Sequence, residues 1–359
     1  MGLIEAAHLD LSLAPDWTCI AARTAGLDEK LRLVAVGTSG TQDLAFCALV
    51  EERQRQHFLS VLMRELPGSR LMAYHPTLVY QSSPDLLLRT ILSLDGRSCD
   101  VLFVPSVPVG SETERVLDTY ATANGVGVIR IPSVRSPYIT ISETWEQYLA
   151  SKSSNFRYNL RRKNRALSTL GRLEEVWYRT PEAVPELLGV INDVESSSWK
   201  VGAGMAVSSS RQESEYYAEL LPWLASMNAL SAVALLLDDV PIAYSLCYVA
   251  NRRYAQMKTS FSEAVADASP GLAVTALAIR AAFDSGAVEF DFLGDVMPHK
   301  SQWTQEVRPH VDIFLYAPSL RGRLLFLTKR LARRLRPQGS TVTVGRSGLH
   351  SRATPRSDA

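Results

Sequence analysis

The chain has 359 residues, of which 46% are hydrophobic, and its formal net charge is +1. This length accommodates two domains, and the composition is that of a globular protein with a sizeable core. The near-neutral net charge gives no global electrostatic reason to expect DNA or an anionic membrane surface as a partner.

The four cysteines are far apart and form no CxxC pair, which predicts reduced thiols and neither a disulfide framework nor a metal site. The N-terminal residues lack the basic-then-apolar pattern of a signal peptide. No apolar run reaches the ~18 residues of a transmembrane segment. We therefore expect a cytoplasmic protein.

The first half, residues 1–137, is predicted to be a mixed α/β domain. Its predicted elements are a helix at 15–26, strands at 31–37 and 43–52, a segment at 57–66 that fits a strand or a helix, a helix at 86–94, a strand at 101–105, a helix at 111–124 and a strand at 125–132. Thr38-Ser39-Gly40 marks a turn. Ser111 and Glu114 have capping-box spacing, and Asn124-Gly125 ends that helix.

The second half opens with a predicted helix over residues 153–171. Phe156, Leu160 and Leu167 fall on or near one face of it, beside a row of arginines at 157, 161 and 165. The elements that follow are a strand at 173–179, a helix beginning at Thr180, a helix at 213–227 and a three-strand meander with turns at Asp238-Asp239 and Asn251-Arg252.

A loop after the meander ends in Ser269-Pro270-Gly271, where a helix begins. Serine is a common N-cap, and proline suits the first helical position. The free amides of Gly271, Leu272 and Ala273, together with the helix dipole, predict a site for a phosphate or pyrophosphate. The alternative is that Ser-Pro-Gly merely starts a helix.

The order of these elements resembles the GNAT acyltransferase fold, and more narrowly the GNAT-like acetyltransferases of cellulose and exopolysaccharide biosynthesis, which are related to the Fem-type aminoacyl-tRNA-dependent peptidyltransferases. The resemblance is carried by residues 153–162, by Ser269-Pro270-Gly271, and by residues 291–295 with Lys300 and Trp303. It implies a mixed α/β sheet and a biosynthetic transferase.

The two halves echo each other, because Ser83-Pro84 and Ser269-Pro270 each precede a helix and a buried strand. The Fem-like relatives are tandem GNAT-type domains, which fits this echo. Asp85 stands where the second half has Gly271, and its carboxylate would repel a phosphate. We therefore expect a degenerate GNAT-like domain at 1–137, an acyltransferase domain with the donor site at 138–336, and a disordered tail at 337–359.

The resemblance implies a thioester donor, either acyl-CoA or the phosphopantetheine of an acyl carrier protein, and no tightly bound cofactor. The pantetheine arm would run between splayed parallel strands near 257–261 and 289–293. The amine of a small-molecule acceptor would attack the thioester directly, so no covalent enzyme intermediate is required.

The candidate catalytic residues are His299, Lys300, Asp291, Asp295 and Lys258. Relatives carry Tyr-Lys where this chain has His299-Lys300, which puts a tyrosine acid in doubt, although histidine titrates in the useful range. The alternatives are a surface histidine, and a Lys300 that pairs structurally with Asp291 or Asp295.

Residues on the acceptor side are predicted from strand alternation and from the relatives. Alternation puts Gln256, Lys258 and Ser260 on one face, as the lining of an acceptor pocket. Glu195, and Trp199-Lys200 beyond it, would border the acceptor entry, although such a tryptophan is more often part of the core. Arg157 and Arg161 either contact an anionic substrate or form a solvated helix face.

Two alternative functions stay open. One is a Fem-like aminoacyl-tRNA-dependent ligase, against which the net charge and the missing coiled-coil arm both weigh. The other is a non-catalytic scaffold with a decayed cleft. Near the C-terminus, the basic and leucine-rich residues 321–335 would dock on the domain, or lie on a membrane surface or an acidic partner.

Overall fold

The computed structural model describes residues 14–37, 44–56, 59–66, 79–80, 84–93 and 99–334. The predicted turn at Thr38-Ser39-Gly40, the first residue of the Ser83-Pro84 pair and the predicted tail at 337–359 lie outside the described residues.

The strands are β1 (Leu31–Gly37), β2 (Leu44–Gln56), β3 (Leu59–Glu65), β4 (Val79–Tyr80), β5 (Val101–Pro108), β6 (Gly127–Thr140), β7 (Leu173–Tyr178), β8 (Leu230–Leu237), β9 (Val240–Ala250), β10 (Arg253–Phe261), β11 (Glu289–Asp291) and β12 (Val307–Tyr316). The helices are α1 (Pro15–Thr24), α2 (Pro84–Leu92), α3 (Glu112–Asn124), α4 (Trp145–Ser151), α5 (Ser154–Leu170), α6 (Val184–Ser196), α7 (Trp199–Gly202), α8 (Arg211–Ser226), α9 (Pro270–Asp284), α10 (Pro298–Ser301) and α11 (Leu320–Arg334).

The described residues fall into two compact units. The first contains residues up to Arg135 together with residues from Arg308 onward, and the second contains Ser136–Val307. The sequence-based division kept residues 308–336 with the second half. The structure groups residues 308–334 with the first unit instead, because β12 pairs antiparallel with β5 over Val101–Pro108.

In the first unit, β1, β2 and β3 form an antiparallel meander. Helix α2 then crosses over to β5, which pairs parallel with β3 from Met63↔Val101 to Glu65↔Phe103. Strand β12 closes the unit by pairing antiparallel with β5. The segment at 57–66, which the sequence left open between strand and helix, therefore contains a strand.

The second unit repeats this plan. Strands β7, β8, β9 and β10 form an antiparallel meander. Helix α9 then crosses over to β11, which pairs parallel with β10. Strand β11 pairs antiparallel with the end of β6. The shared plan of meander, crossover helix, parallel strand and antiparallel closing strand confirms the predicted tandem of GNAT-like domains.

Aromatic side chains from several segments fill the core of the second unit. Trp303 is 1% exposed and packs edge-on against Phe156 at 5.0 Å between ring centroids. Leu160 and Leu167 of α5 are buried in the same cluster, which confirms the predicted apolar face of this helix. The Tyr148 hydroxyl donates to the Trp303 carbonyl at 2.6 Å, which ties α4 to the same core.

The meander turns have the backbone conformation that their residues favour. Asp238 and Asp239 have φ of 48° and 67°, and Asn251 and Arg252 have φ of 49° and 60°. Two consecutive left-handed residues are the signature of a tight hairpin turn, and Asn and Asp tolerate this conformation well. Both predicted turns are confirmed.

The helix starts agree with the sequence at Ser111 and differ at Thr180. The Ser111 side chain accepts from the Glu114 amide at 3.3 Å, as predicted. At Thr180 a 3-10 turn (Pro181–Ala183) comes first, and the α-helix begins only at Val184. Within the described residues, no helix has the length and apolar character needed to cross a membrane.

Candidate functional site

The two parallel strands of the second unit separate after three residue pairs. Their pairing runs from Arg253↔Glu289 to Ala255↔Asp291, while β10 continues to Phe261. Strand β11 separates from β10 after Asp291, whereas its pairing with β6 continues, because the Phe292 amide donates to the Pro137 carbonyl at 3.0 Å. The expected splay of these strands is therefore present, and it leaves the backbone of residues 257–261 without a strand partner on that side among the described residues.

A β-bulge lies at the same point of β10. Its register with β9 passes from Gln256↔Cys247 to Lys258↔Leu246, so Met257 is the inserted residue. A bulge shifts the alternation of side chains and increases the local twist. It therefore coincides with the position where β10 turns away from β11.

The bulge overturns the expectation that Gln256, Lys258 and Ser260 share one face. Gln256 lies opposite Cys247 and donates to the Ser245 hydroxyl at 2.8 Å, on the face covered by α9. Lys258 and Ser260 lie on the other face, towards α6 and α8. Gln256 therefore does not line the same pocket as Lys258. The buried Ser260 hydroxyl has no hydrogen-bond partner among the described residues.

The start of α9 differs in detail from the predicted anion site. Ser269 is left-handed, with φ 55° and ψ 55°, and its side chain caps nothing. The Leu272 and Ala273 amides donate to the Ser269 carbonyl at 3.0 and 3.4 Å. Two of the three predicted free amides are thus occupied, and only the Gly271 amide has no hydrogen-bond acceptor among the described residues.

Gly271 is also required for packing. A Cβ at this position would lie 2.8 Å from Cδ1 of Phe261, closer than side chains tolerate. Pro270 beside it is buried, and Gly271 is half-buried. The missing side chain therefore brings the start of α9 against the end of β10, where the two parallel strands have separated.

A buried ionic cluster lies on the α6 side of β10, with Glu195 at its centre. Glu195 is 0% exposed. Its Oε1 accepts from Lys200 Nζ at 2.9 Å and from the Tyr244 hydroxyl at 2.6 Å, and its Oε2 accepts from the Val207 amide at 2.6 Å. A buried carboxylate needs such partners, because an unpaired one would be strongly destabilising.

Two lysines connect this carboxylate to β10. Lys258 Nζ lies 2.6 Å from Glu213 Oε1 and 3.6 Å from Glu195 Oε1. Lys200 Nζ also donates to the Thr259 carbonyl at 2.7 Å. The cluster therefore joins α6, α7 and α8 to the part of β10 that follows the bulge.

The pKa values in the cluster follow from burial and charge. Burial lowers the pKa of Lys200 to about 8, although Glu195 opposes the shift. Burial alone would raise the pKa of Glu195, but the charges of Lys200 and Lys258 outweigh it and the net shift is downward. Burial, followed by the Glu195 charge, raises the pKa of Tyr244 well above its usual range, so this hydroxyl stays a donor.

The turn after β11 is held by Asp291 and Lys300. The buried Asp291 Oδ1 accepts from the Ser136 hydroxyl at 2.9 Å and from the Leu293 amide at 2.7 Å. Lys300 Nζ donates to the Leu293 carbonyl at 2.6 Å and to the Asp295 carbonyl at 3.2 Å. These contacts hold a turn in which Leu293 is left-handed, with φ 50°, and the two Lys300 bonds to Leu293 and Asp295 go to backbone carbonyls of that turn.

His299 and Asp295 lie on the surface next to this turn. Partial desolvation lowers the pKa of His299 from 6.5, and the charges of Lys300 and Lys200 lower it further. Asp295 Oδ1 accepts from the Val296 amide at 2.8 Å. Burial lowers the pKa of Lys300 to about 8.

The remaining predicted residues do not join the cluster. Arg161 is exposed on α5, and Trp199 is 45% exposed at the start of α7. Arg157 is half-buried, and its Nε is buried without a hydrogen-bond partner among the described residues.

Sequence reasoning missed Glu213 and Tyr244, and it placed Lys200 only at the border of the acceptor entry. Glu213 was read only as the start of a helix, and Tyr244 only as a strand residue. A charged residue in the middle of a predicted strand, such as Lys258, is the signal that indicates a buried carboxylate partner. This signal does not identify which carboxylate is the partner.

The described residues contain no group of three or more His, Cys, Asp or Glu side chains arranged to hold a metal ion.

The comparisons with known proteins agree with this fold. The family model of the acetyltransferase (GNAT) domain matches residues 154–301, all within the second unit. No match is found among curated proteins. Among solved structures, FemX is similar with a TM-score of 0.60 and 14% identity, over 91% of this chain and 96% of that chain.

Two further solved structures share the fold. The C-terminal domain of a putative lysylphosphatidylglycerol synthetase from Agrobacterium fabrum has a TM-score of 0.52 and 12% identity, over 88% of this chain and 91% of that chain. L-PGS from Bacillus licheniformis has a TM-score of 0.50 and 11% identity, over 88% of this chain and 96% of that chain. These likenesses concern the fold, whereas the family model identifies a domain: the chain contains an acetyltransferase (GNAT) domain at residues 154–301.

Proposed function

We propose that the chain transfers an acyl group from a thioester donor, acyl-CoA or an acyl carrier protein, to the amine of a small molecule. The observation that carries the proposal is the separation of β10 from β11 after Ala255↔Asp291, together with the close approach of the end of β10, at Phe261, to the start of α9 at Gly271. A thioester arm can bind along an unpaired strand edge because that edge offers backbone hydrogen bonds. The open Gly271 amide and the dipole of α9 favour the diphosphate at the neighbouring helix start.

The reaction is a direct attack. The neutral amine nitrogen of the acceptor forms a bond to the thioester carbonyl carbon, the carbon–sulfur bond breaks, and the thiolate leaves with the electron pair. The attacking nitrogen loses one proton to a base, and the thiolate gains one. Positioning of the two reactants supplies much of the rate.

His299 is the base in this proposal. It is exposed at the turn after β11, and its lowered pKa keeps it neutral at pH 7. The carboxylates of Glu195 and Glu213 are occupied by lysines, so they position β10 and do not take the proton. Lys300 and Asp291 hold the turn that carries His299.

Donor binding is tested by thermal shift with CoA, acetyl-CoA and aminoacyl-tRNA, in the full chain and in two variants. Gly271→Ala and Gly271→Asp introduce the same Cβ, and only the second adds a negative charge at the helix start. We expect CoA and acetyl-CoA to stabilise the full chain. Gly271→Asp should lose this stabilisation to a much greater extent than Gly271→Ala.

A second assay follows thiol release from acetyl-CoA in the presence of a panel of primary amines. If aminoacyl-tRNA alone raises the melting temperature, the donor is an aminoacyl-tRNA and not a CoA thioester. This is the Fem-like alternative, and FemX shares the fold. Equal responses of Gly271→Ala and Gly271→Asp to CoA would show that the diphosphate binds elsewhere.

A further inference from the structure

Helix α11 of the first unit carries an exposed stripe of leucines. Leu320, Leu324, Leu327 and Leu331 are 89%, 53%, 59% and 59% exposed. At ~100° per residue, they fall within an arc of about 60°. Four leucines in line on one exposed helix face cost free energy in water, since single exposed apolar residues are common but contiguous apolar patches are not.

The opposite face of α11 packs against its own unit. A Cβ on Gly322 would lie 2.2 Å from the Ala317 carbonyl oxygen, so the helix approaches the backbone closely there. Leu325 is 6% exposed, and the Phe326 ring lies 5.7 Å from that of Tyr316. These three positions are centred about 180° from the leucine stripe at ~100° per residue. The stripe therefore faces away from the unit that holds the helix.

The charges on α11 are all positive. Its sequence contains five arginines and one lysine and no acidic residue. Arg321 is engaged with Asp100 at 3.3 Å. Arg323 and Arg330 are exposed and lie about 70° and 90° from the centre of the stripe at ~100° per residue, so they flank it on one side. Arg333 lies on the packed side and donates to the Arg130 carbonyl at 2.9 Å.

We propose that α11 lies on the surface of an anionic lipid bilayer, with the leucine stripe in the acyl boundary and its arginines at the headgroups. An amphipathic helix with leucines on one face and arginines beside them binds in this way. A nucleic acid would neutralise the arginines and leave the leucines in water. An anionic membrane accommodates both groups of side chains, because its acyl region takes leucine and its headgroups are negative.

The test is co-sedimentation of the full chain with vesicles of phosphatidylcholine alone, or of phosphatidylcholine with about 30% phosphatidylglycerol. We expect binding to the anionic vesicles, little binding to the neutral ones, and weaker binding as salt is added. Leu324→Gln/Leu327→Gln should reduce the partition coefficient about tenfold or more, because both side chains leave the acyl boundary.

Two further variants separate charge from apolar contact. Arg323→Gln/Arg330→Gln should weaken binding to the anionic vesicles about tenfold and leave binding to the neutral ones unchanged. Leu86→Gln is the matched control, because Leu86 is a 41% exposed leucine on a helix of the same unit. The Leu86→Gln variant should bind like the unchanged chain. All variants should have the same melting temperature as the unchanged chain.

The proposal is wrong if the full chain stays in the supernatant with anionic vesicles, or if the leucine variant binds them as well as Leu86→Gln does. Light scattering addresses another occupant of the stripe. A dimer that the leucine variant dissociates, in a chain that binds no vesicles, would assign the stripe to a second copy of the protein.

Discussion

Lys258 Nζ lies 2.6 Å from Glu213 Oε1, although the two residues are 45 positions apart in the chain. Both side chains are less than 10% exposed. The pair joins α8 to β10 directly after the bulge, at the level where β10 has left β11. Helix α8 therefore holds the part of β10 that is separated from β11.

Removal of the Glu213 charge should destabilise the fold. We expect Glu213→Gln to lower the free energy of unfolding by about 2 to 3 kcal/mol, because the buried Lys258 then keeps only the more distant Glu195 as a charged partner, with the Met205 carbonyl at 3.4 Å. Urea unfolding measures this loss. The matched control is Glu215→Gln on the same helix, whose partner Arg211 is 89% exposed. Its unfolding midpoint should not move, since exposed pairs contribute little; equal losses in both variants would contradict a special role for the buried pair.

Glu195 should make the free energy of unfolding depend on pH in the acidic range. Its pKa in the folded state lies below 4.5, so the stability that it contributes is present above that pH and is lost as the pH falls through the folded pKa. Glu195→Gln should cost about 3 kcal/mol at pH 7, because two buried lysines lose their shared partner. This difference from the unchanged chain should shrink below pH 4.5, as chemical denaturation at several pH values would measure. A difference that stays constant down to pH 3 would mean that Glu195 does not titrate with the fold.

Gly271→Ala should be destabilising, and the reason should be Phe261. Loss of a glycine usually stabilises by about 0.4 to 1 kcal/mol through the unfolded chain. Here the new Cβ would meet the Phe261 ring at 2.8 Å, and overpacking of this kind costs about 1 to 3 kcal/mol, so the net effect is a loss. A double-mutant cycle with Phe261→Leu measures the coupling. Additive effects of the two changes would show that the ring does not limit this position.

His299 should produce the acidic limb of the rate profile. Because its pKa is lowered from 6.5, kcat/KM should fall as the pH falls through a value below 6.5 and should level off above it. His299→Gln should lower kcat about a hundredfold and remove that limb. The measurement is thiol release from acetyl-CoA with the best amine of the panel. Survival of the acidic limb in His299→Gln would assign the base to another group.

Local signals predicted much of the fold. The Ser111 cap, the two meander turns and the apolar face of α5 depend on residues close together in sequence, and each is where the pattern put it. The Met257 bulge escaped prediction because the alternation of β10 continues through it in the sequence. The separation from β11 that accompanies it depends on residues about 36 positions away, which no local pattern records.

The candidate site was predicted less completely for the same reason. Lys258 and Glu195 were singled out, but their partner Glu213 was not, since any of several carboxylates satisfied the pattern. The Ser269 cap was wrong because a serine in the left-handed region directs its side chain away from the helix amides. The helix start itself was predicted correctly, since Pro270 fixes it.

The closing strand β12 has a consequence for how the chain folds during its synthesis. Strand β12 is synthesised after the whole second unit, yet it pairs with β5 of the first unit. The nascent first unit therefore leaves the ribosome with an unpaired β5 edge, which is a template for aggregation. A shortened chain that ends near residue 300 would keep nearly all of the matched GNAT domain and would leave the β5 edge unpaired.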